Sequence, residues 1–296
     1  GEPNSLSNAI NDRYIAVLHE ELVPALGCTE PIALAYASAL ARQELGALPD
    51  RITAVCSGNI VKNVKGVTVP NSGGQKGIKA AVILGAVGGN AGRKLEVLTD
   101  IGDEDIRKTR ELEAAGFCTV ELAEGEENLY IRIEAERGAD RVTVEIAGSH
   151  TNVTRIERNG QSVFSQGRSA AAGADPEAAA GADPEAGPGG PAGAKPVGNH
   201  AFMEFAGILR FAEEVDLRAL SPLLEMQIEY NSRIAEEGIR NPYGVNTGKK
   251  LLDIYGDDLA IRARAKAAAG SDARMGGSDL AVVINSGSGN QGLTVS

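Results

Sequence analysis

The segment ALGCTEPIALAYASALARQ, residues 25–43, decides how the N-terminal third of this chain is expected to fold. Thr29 is a good helix N-cap residue and Pro31 suits the first helical turn, so we predict a helix from Thr29 to about Leu45. Cys28 stands directly before that helix, where free backbone N–H groups and the helix dipole favour an anion. We therefore expect Cys28 to be a thiolate; the alternative is a small buried hydrophobic residue.

Hydropathy patterns extend outward from this helix. Apolar residues at helical spacing predict a helix over 5–22, and a segment bounded by glycines and rich in small residues predicts a second helix over 76–87. RITAVCSGNI, starting at Arg51, predicts a short buried strand. Beyond these, RKLEVLTDI suggests a strand and residues 103–116 a helix. Alternating apolar and polar residues then predict an antiparallel sheet with one solvent-exposed face. Its predicted strands are CTVELAE, LYIRIEAE, RVTVEIAG and TNVTRIERNG.

The chain divides into four predicted regions, and its predicted fold class is α+β. Residues 1–94 and 200–296 form a helical catalytic core rich in small residues, with an antiparallel β-rich subdomain, residues 95–165, inserted between them. Residues 166–199 are a low-complexity loop or linker, because Ala, Gly and Pro without aromatic residues cannot bury a core. After it we predict helices over 200–214, 216–237 and about 249–269, then a short buried segment, LAVVI.

Composition excludes several classes of function. The formal net charge of -11 argues against a nucleic-acid surface, which needs clustered Lys and Arg. Aromatic residues make up only 4% of the chain and Trp is absent, so stacking platforms for bases or sugars are not expected. No apolar run is long enough to predict a membrane span. The three cysteines do not form a secreted disulfide framework, and their scarcity predicts a cytoplasmic protein.

Two glycine-containing loops offer donors for an anion. In SGSGNQG, glycines let backbone N–H groups approach a carboxylate or phosphate, while Ser286, Ser288 and Asn290 add side-chain donors. A flexible turn is an equal alternative for this loop. In SGNIVKNVKGVTVPNSGG, Asn63 lies among lysines and glycines that suit a carboxylate, although a solvated surface loop is slightly favoured.

Further side chains are candidates for chemistry. Arg274, in SDARMGG, has a guanidinium that suits a carboxylate, or it simply pairs with Asp272. His150, in GSHTNV, is a candidate acid or base, although a structural or exposed role is favoured for a lone histidine. Cys56 and Cys118 lack a CxxC partner, and we expect both to be packing residues.

The order of these motifs is more specific than any one of them. LGCTEPIALAYA, SGNIVKNVKGVTVPNSGG, KAAVILGAVGG, GSHTNV, SDARMGG and NSGSGNQG together resemble the L-cysteine desulfidase family, which is related to the alpha chain of iron–sulfur L-serine dehydratases. The resemblance covers nearly the whole chain outside 167–198. It implies a lyase that works without pyridoxal phosphate and uses a [4Fe–4S] cluster with one iron open to substrate.

The resemblance also implies roles for individual residues. Cys28, in GCTEP, is implied as a cluster ligand or as the base that removes the α-proton of L-cysteine, before sulfide leaves and the remainder hydrolyses to pyruvate and ammonia. The predicted substrate-binding residues are Asn63, Arg274, Ser286, Ser288 and Asn290. The family's other cluster cysteines lie beyond GSGNQG, so we expect a C-terminally truncated fragment that binds no stable cluster and shows little activity.

Other functions stay open at this point. An L-serine dehydratase would eliminate water instead of sulfide, and a non-catalytic module would bind an amino acid or another small anion without chemistry. A nucleotide-binding protein is disfavoured, because no Gly-Lys-Ser/Thr follows the glycine loop. The expected partner is a small amino-acid substrate, with a homo-oligomer as a further possibility and with neither nucleic acid nor membrane.

Overall fold

A computed structural model describes residues 5–126, 129–166 and 200–296 of the chain. Up to residue 166 the elements are α1 (Ser5–Glu21), β1 (Pro24–Leu26), α2 (Thr29–Leu45), β2 (Arg51–Ser57), α3 (Gly58–Val64), α4 (Gly77–Gly88), a 3-10 segment (Ala91–Glu96), α5 (Asp103–Ala114), β3 (Cys118–Ala123), β4 (Tyr130–Arg137), β5 (Asp140–Ala147), β6 (Val153–Arg158) and β7 (Gln161–Ser165). From residue 200 they are a 3-10 turn (His200–Phe202), α6 (Phe205–Glu214), α7 (Leu217–Arg240), α8 (Thr247–Tyr255), α9 (Leu259–Met275), β8 (Ala281–Val283) and α10 (Gly289–Val295).

A mixed sheet of six strands, in the order β3–β2–β4–β5–β6–β7, forms the centre of the first part of the chain. Together with the helices it confirms the predicted α+β fold class. Neighbouring strands are antiparallel except for β2 and β3, which run parallel. The strand β2 comes from the predicted 1–94 region, yet it lies between β3 and β4 in the sheet.

Helices α2 and α4 cover the apolar face of this sheet. On β4, Ile131, Ile133 and Ala135 are fully buried on the helix side, whereas the alternate residues are more exposed. The two helices pack closely, because the missing side chain of Gly85 lets α4 approach the backbone of Ala35 in α2. The small residues of this segment thus allow the backbones of α2 and α4 to come into close contact.

Several local predictions differ from the structure for identifiable reasons. The segment RKLEVLTDI forms 3-10 turns instead of a strand, with Lys94 at a positive φ of 48°. The predicted helix 249–269 is two helices, because Gly256 ends α8 at a φ of 83° and Asp258 then caps α9. The predictions did not include β1 or α3. The predicted linker, 166–199, falls almost wholly outside the described residues.

A short antiparallel ribbon of β1 and β8 links the two halves of the helical part. Pro24 lies opposite Val283, and Leu26 lies opposite Ala281. The chain leaves β1 directly into Gly27 and Cys28, whereas β8 leads into the predicted anion loop, so the ribbon brings two motifs that are far apart in sequence to one place. Within the described ranges, no helix has the length and apolar character needed to span a membrane.

Candidate functional site

Cys28 occupies the N-cap position of α2, so Thr29 is the first helical residue and not the cap that was predicted. The backbone of Cys28 is extended and its side chain is buried. Its Sγ donates a hydrogen bond to Oε2 of Glu30 at 3.0 Å, and Oγ1 of Thr29 is 3.4 Å from the same oxygen. The thiol therefore points at a carboxylate and does not cap the helix.

This carboxylate corrects the expectation that Cys28 is a thiolate. Burial, the negative charge of Glu30 and the hydrogen bond to it together raise the pKa of Cys28 to about 12, although the cation of Arg274 lowers it. A thiolate would face the Glu30 carboxylate at hydrogen-bond distance in a low-dielectric site, and that repulsion outweighs the favourable helix terminus. Cys28 is a neutral thiol in this arrangement.

Arg274 is the central cation of the site. It lies in the last turn of α9 and is only 5% exposed. Its Nε donates to the carbonyl oxygen of Gly27 at 2.8 Å, and its Nη1 donates to Oδ1 of Asn290 at 3.1 Å. Asp272, the partner that the sequence offered as an alternative, instead accepts a hydrogen bond from the backbone N–H of Thr247 at 2.8 Å.

Across residues 5–126, 129–166 and 200–296, no carboxylate forms an ion pair with the guanidinium of Arg274. The two oxygen atoms that accept its hydrogen bonds, on Gly27 and Asn290, are neutral. Burial lowers the pKa of Arg274, while the nearby Cys28 and Glu30 raise it. A buried arginine held by neutral acceptors still has charge to offer an anion.

Two glycines make room for this arrangement. A Cβ on Gly289 would overlap Nε and Cζ of Arg274, so the guanidinium lies directly against the backbone of α10. Gly27 has a φ of 65°, and a Cβ there would overlap the ring of Pro70. The loop after α3 is therefore packed against the turn that precedes Cys28. A Cβ on Gly277, just beyond α9, would likewise overlap the side chain of Thr68 in the same loop.

The residues of the predicted anion loop have different environments. Asn290 joins the site, since its Oδ1 accepts from Arg274 and also from Oγ of Ser271 at 3.0 Å. The Ser288 hydroxyl caps α10 by accepting from the N–H of Gln291 at 3.2 Å. Ser286 has a positive φ of 49° and bonds to the side chain of its neighbour Asn285 at 3.1 Å. Both serine hydroxyls thus serve the local loop structure in this state.

Asn63 lies on α3 and is partly exposed. In the described part of the chain it forms no hydrogen bond to Arg274 or to Asn290. The loop that follows it does reach the site, through Thr68 and Pro70. The structure therefore brings together Cys28, Arg274 and Asn290, whereas the described hydrogen bonds of the site do not include Asn63.

Glu30 and His150 add two titratable groups that complete the cluster. Burial raises the pKa of Glu30, but the bond from Cys28 and the charges of His150 and Arg274 lower that pKa more, so it lies below its ordinary value. Burial and the cation of Arg274 lower the pKa of His150, and the negative charge of Glu30 opposes them. Sequence reasoning missed Glu30, because an acidic residue in the first turn of a helix is common and carries no chemical signal by itself.

The described residues do not provide a ligand set for a metal. No group of at least three His, Cys, Asp or Glu side chains in metal-binding arrangement occurs within the ranges that the structure describes. Cys56 and Cys118 are free thiols on β2 and β3, inside the main core. Burial raises the pKa of each to about 12. Cys28 is the one cysteine in the Arg274 cluster.

Known relatives match almost the whole chain. UPF0597 proteins of Lachnoclostridium phytofermentans, Treponema denticola and Finegoldia magna are 48%, 39% and 43% identical to it over 96%, 99% and 95% of its length. The chain spans 63%, 64% and 62% of the lengths of these relatives, which is slightly less than two thirds. No solved structure matches the chain.

A family model supplies the classification. The model of the serine dehydratase alpha chain matches residues 92–296, which include His150, Arg274 and Asn290. The motif with Cys28 and Glu30 precedes the matched range but lies within the alignments to the UPF0597 relatives, which cover at least 95% of the chain. The chain therefore belongs to the serine dehydratase alpha chain family.

Proposed function

We propose that Arg274 binds the α-carboxylate of a small L-amino acid, and that the chain forms part of a lyase that eliminates sulfide from L-cysteine. The observation that carries this proposal is the buried guanidinium of Arg274, which lacks an ion-pair partner among the described residues. A buried charge is costly unless it is paired. A substrate carboxylate would supply the missing partner, and Asn290 would help to orient it.

The remaining groups suit the rest of a zwitterionic amino acid. Glu30 is a carboxylate at neutral pH, because its pKa lies below the ordinary value, and it can accept the α-ammonium group. Its position near Arg274 is indicated by the influence of each charge on the pKa of the other. An opposed pair of one cation and one anion selects for a ligand that carries both charges.

His150 is the proposed base. Its lowered pKa keeps the imidazole neutral at pH 7, so that it can accept a proton, whereas a thiol such as Cys28, with a pKa of about 12, is a poor base there. In the proposed reaction the α-proton of L-cysteine passes to the base, the Cβ–S bond breaks and sulfide leaves with the bonding electrons. The aminoacrylate that remains takes up a proton and reacts with water to give pyruvate and ammonia.

An iron–sulfur cluster does not fit the cysteines in the part of the chain that the structure describes. A cluster with one open iron takes three thiolates. Cys28 can supply one, but Cys56 and Cys118 lie inside the main core, on strands of the sheet. We therefore assign no reaction step to a cluster, and the metal role of Cys28 stays a prediction drawn from the resemblance alone.

L-Serine is the second candidate substrate, and the name of the matched family favours it. The same carboxylate and ammonium contacts would hold serine, since serine and cysteine differ only in the atom that leaves from Cβ. Hydroxide is a much poorer leaving group than sulfide. A site that works on serine therefore needs more assistance at the leaving group than a site that works on cysteine.

Binding and turnover should be measured separately. L-Alanine has the carboxylate and ammonium but no leaving group, so its binding by calorimetry tests the site without chemistry. We expect the 296-residue chain to bind L-alanine, and Arg274→Gln to weaken that binding by about tenfold or more. Arg274→Lys is the matched control for charge, because it keeps the cation but loses the planar fork. Equal affinities for all three proteins would disprove the carboxylate site.

Turnover should be followed as sulfide from L-cysteine and as pyruvate from L-serine, under anaerobic conditions with and without iron and sulfide. Sulfide release that is lost in His150→Gln would support the proposed lyase and base. Pyruvate from serine alone would replace the desulfidase by a dehydratase. Binding of L-alanine with no turnover of either substrate would leave a non-catalytic amino-acid-binding protein.

A further inference from the structure

Asn231, on α7, hydrogen-bonds to both backbone groups of one residue in β8. The N–H of Val283 donates to Oδ1 of Asn231 at 2.8 Å, and Nδ2 of Asn231 donates to the carbonyl oxygen of Val283 at 3.1 Å. Asn231 is only 2% exposed, so water cannot easily take over these hydrogen bonds. Loss of the amide would therefore leave both backbone groups of Val283 unsatisfied, which is costly. The side-chain amide acts on β8 as a neighbouring strand would.

The strand register explains why Val283 is available to Asn231. Val283 lies opposite Pro24 in the antiparallel ribbon, and proline has no N–H to offer. Residues that lie opposite each other in an antiparallel ribbon alternate between pairs that exchange hydrogen bonds and pairs that do not. In a pair that does not, the N–H and carbonyl groups point to the other edge of their own strand. That edge of β8 has no partner strand in the described sheet, and the amide of Asn231 satisfies both groups there.

The same amide reaches the end of α10. The second proton of Nδ2 is directed at Oγ of Ser296 at 2.8 Å, and that hydroxyl donates to the carbonyl oxygen of Gly292 at 2.8 Å. Gly292 packs so closely on Val283 that a Cβ would overlap its carbonyl oxygen. Asn231 therefore contacts both elements that flank the loop leading to Asn290.

We propose that Asn231 is a positioning residue for the Arg274 site: it holds β8 and α10 in register, and thereby places Asn290 and the backbone of Gly289 against the guanidinium. The hydrogen bonds of Asn231 in the described structure go to Val283 and Ser296, and none goes to Arg274 or Asn290. The effect on ligand binding rests on the proposed function, whereas the effect on the loop does not.

Gln227 provides a matched control one helical turn earlier on α7. It is also buried, at 6% exposure, but its Nε2 has no hydrogen-bond partner in the described structure. Asn231→Leu and Gln227→Met each exchange a buried amide for an apolar side chain of similar size. Asn231→Gln is the conservative variant, because it keeps both the donor and the acceptor of the amide on a slightly longer side chain and adds no buried charge.

Hydrogen exchange of residues 284–292, compared with exchange of β4 in the same protein, is the first readout. We expect Asn231→Leu to speed exchange of this loop by about tenfold or more relative to β4, Asn231→Gln to have a smaller effect, and Gln227→Met to have none. The second readout is the Kd for L-alanine, which we expect to rise about tenfold in Asn231→Leu and to stay within about twofold in Gln227→Met.

The loop-exchange results distinguish a positioning role of Asn231 from a contribution to general stability. Loop exchange that follows β4 in every variant, or that rises equally in Gln227→Met, would show that Asn231 contributes only to general stability. If Asn231→Leu does not fold, the comparison of Asn231→Gln with Gln227→Met decides in the same way. If the wild-type chain does not bind L-alanine, the proposed function fails, but loop exchange still tests the positioning role.

Discussion

Oδ1 of Asn290 accepts a hydrogen bond from Nη1 of Arg274 at 3.1 Å, so the first turn of α10 is joined to the last turn of α9. The bond exists because Gly289 has no side chain: the guanidinium lies where a Cβ would be. The polar contact and the glycine are parts of one arrangement, and either can be changed separately.

Gly289→Ala should destabilise the protein although the residue lies in a helix, where alanine is ordinarily better than glycine by about 1 kcal/mol. The new Cβ would displace the buried guanidinium, and overpacking of this kind costs about 1–3 kcal/mol. Chemical denaturation measures the change. Gly66→Ala is the control, because a Cβ there meets nothing within 4 Å. Greater stability of Gly289→Ala than of wild type would show that Arg274 does not occupy this place.

Alkylation with iodoacetamide should detect the protonated state of Cys28. With a pKa of about 12, the thiolate fraction and hence the alkylation rate should rise about tenfold per pH unit from pH 7 to 10. Glu30→Gln removes the negative charge and leaves burial, so we expect alkylation of Cys28 at pH 8 to become faster by about tenfold. Peptide mapping keeps Cys56 and Cys118 as internal controls, and an unchanged rate at Cys28 would separate its pKa from Glu30.

The stability of the fold should depend on His150 below neutral pH. Because the pKa of His150 is lower in the folded protein than in the unfolded chain, the unfolded state binds more protons as the pH falls through about 6.5. The free energy of unfolding should therefore decrease between pH 7.5 and pH 5.5, and it should decrease less in His150→Gln. Denaturant titrations at both pH values test this, with His19→Gln on α1 as the control. Equal pH dependence in wild type and His150→Gln would contradict the prediction.

Gly85→Ala should be among the most damaging single-methyl additions in the chain. A Cβ at Gly85 would overlap the carbonyl group and Cα of Ala35, and backbone atoms in a packed helix pair cannot rotate away as a side chain can. We expect a loss of about 3 kcal/mol or more, measured by thermal or chemical unfolding. A loss below about 1 kcal/mol would mean that α2 and α4 are farther apart than described.

Sequence reasoning succeeded where a local signal is strong. The helix from Thr29 to Leu45 was predicted with both ends, since Pro31 and Gly46 mark its limits, and Gly46 does end it with a φ of 82°. Reasoning from sequence could not place Glu30 beside the Cys28 thiol, because that contact depends on the side-chain direction after the turn. It also gave no sign that β2 lies inside the sheet, since strand order is set by contacts between distant segments.

Sequence reasoning likewise found some residues of the candidate site but not the contacts between them. Arg274 and Asn290 were predicted together as substrate-binding residues, but the hydrogen bond between them could not be predicted, because the pairing of β1 with β8 has no local sequence signal. Cys28 was found from its position before a helix, but its charge was predicted wrongly because the desolvation and the neighbouring carboxylate are tertiary effects. Asn231 drew no attention, since an asparagine within a long helix has no local signature.

The position of β2 between β3 and β4 also affects how the chain can be divided in experiments. A polypeptide of residues 95–165 alone would retain the β4–β7 meander but lose the strand that joins it to β3. The backbone groups of β4 that bond to β2 over Arg51–Cys56 would then form an open edge, next to the buried apolar positions Ile131 and Ile133. Open edges of this kind pair with other molecules. Expression of that segment without residues 51–57 is therefore expected to give aggregates, and a hydrogen-bonded strand would have to be supplied in trans to keep it monomeric.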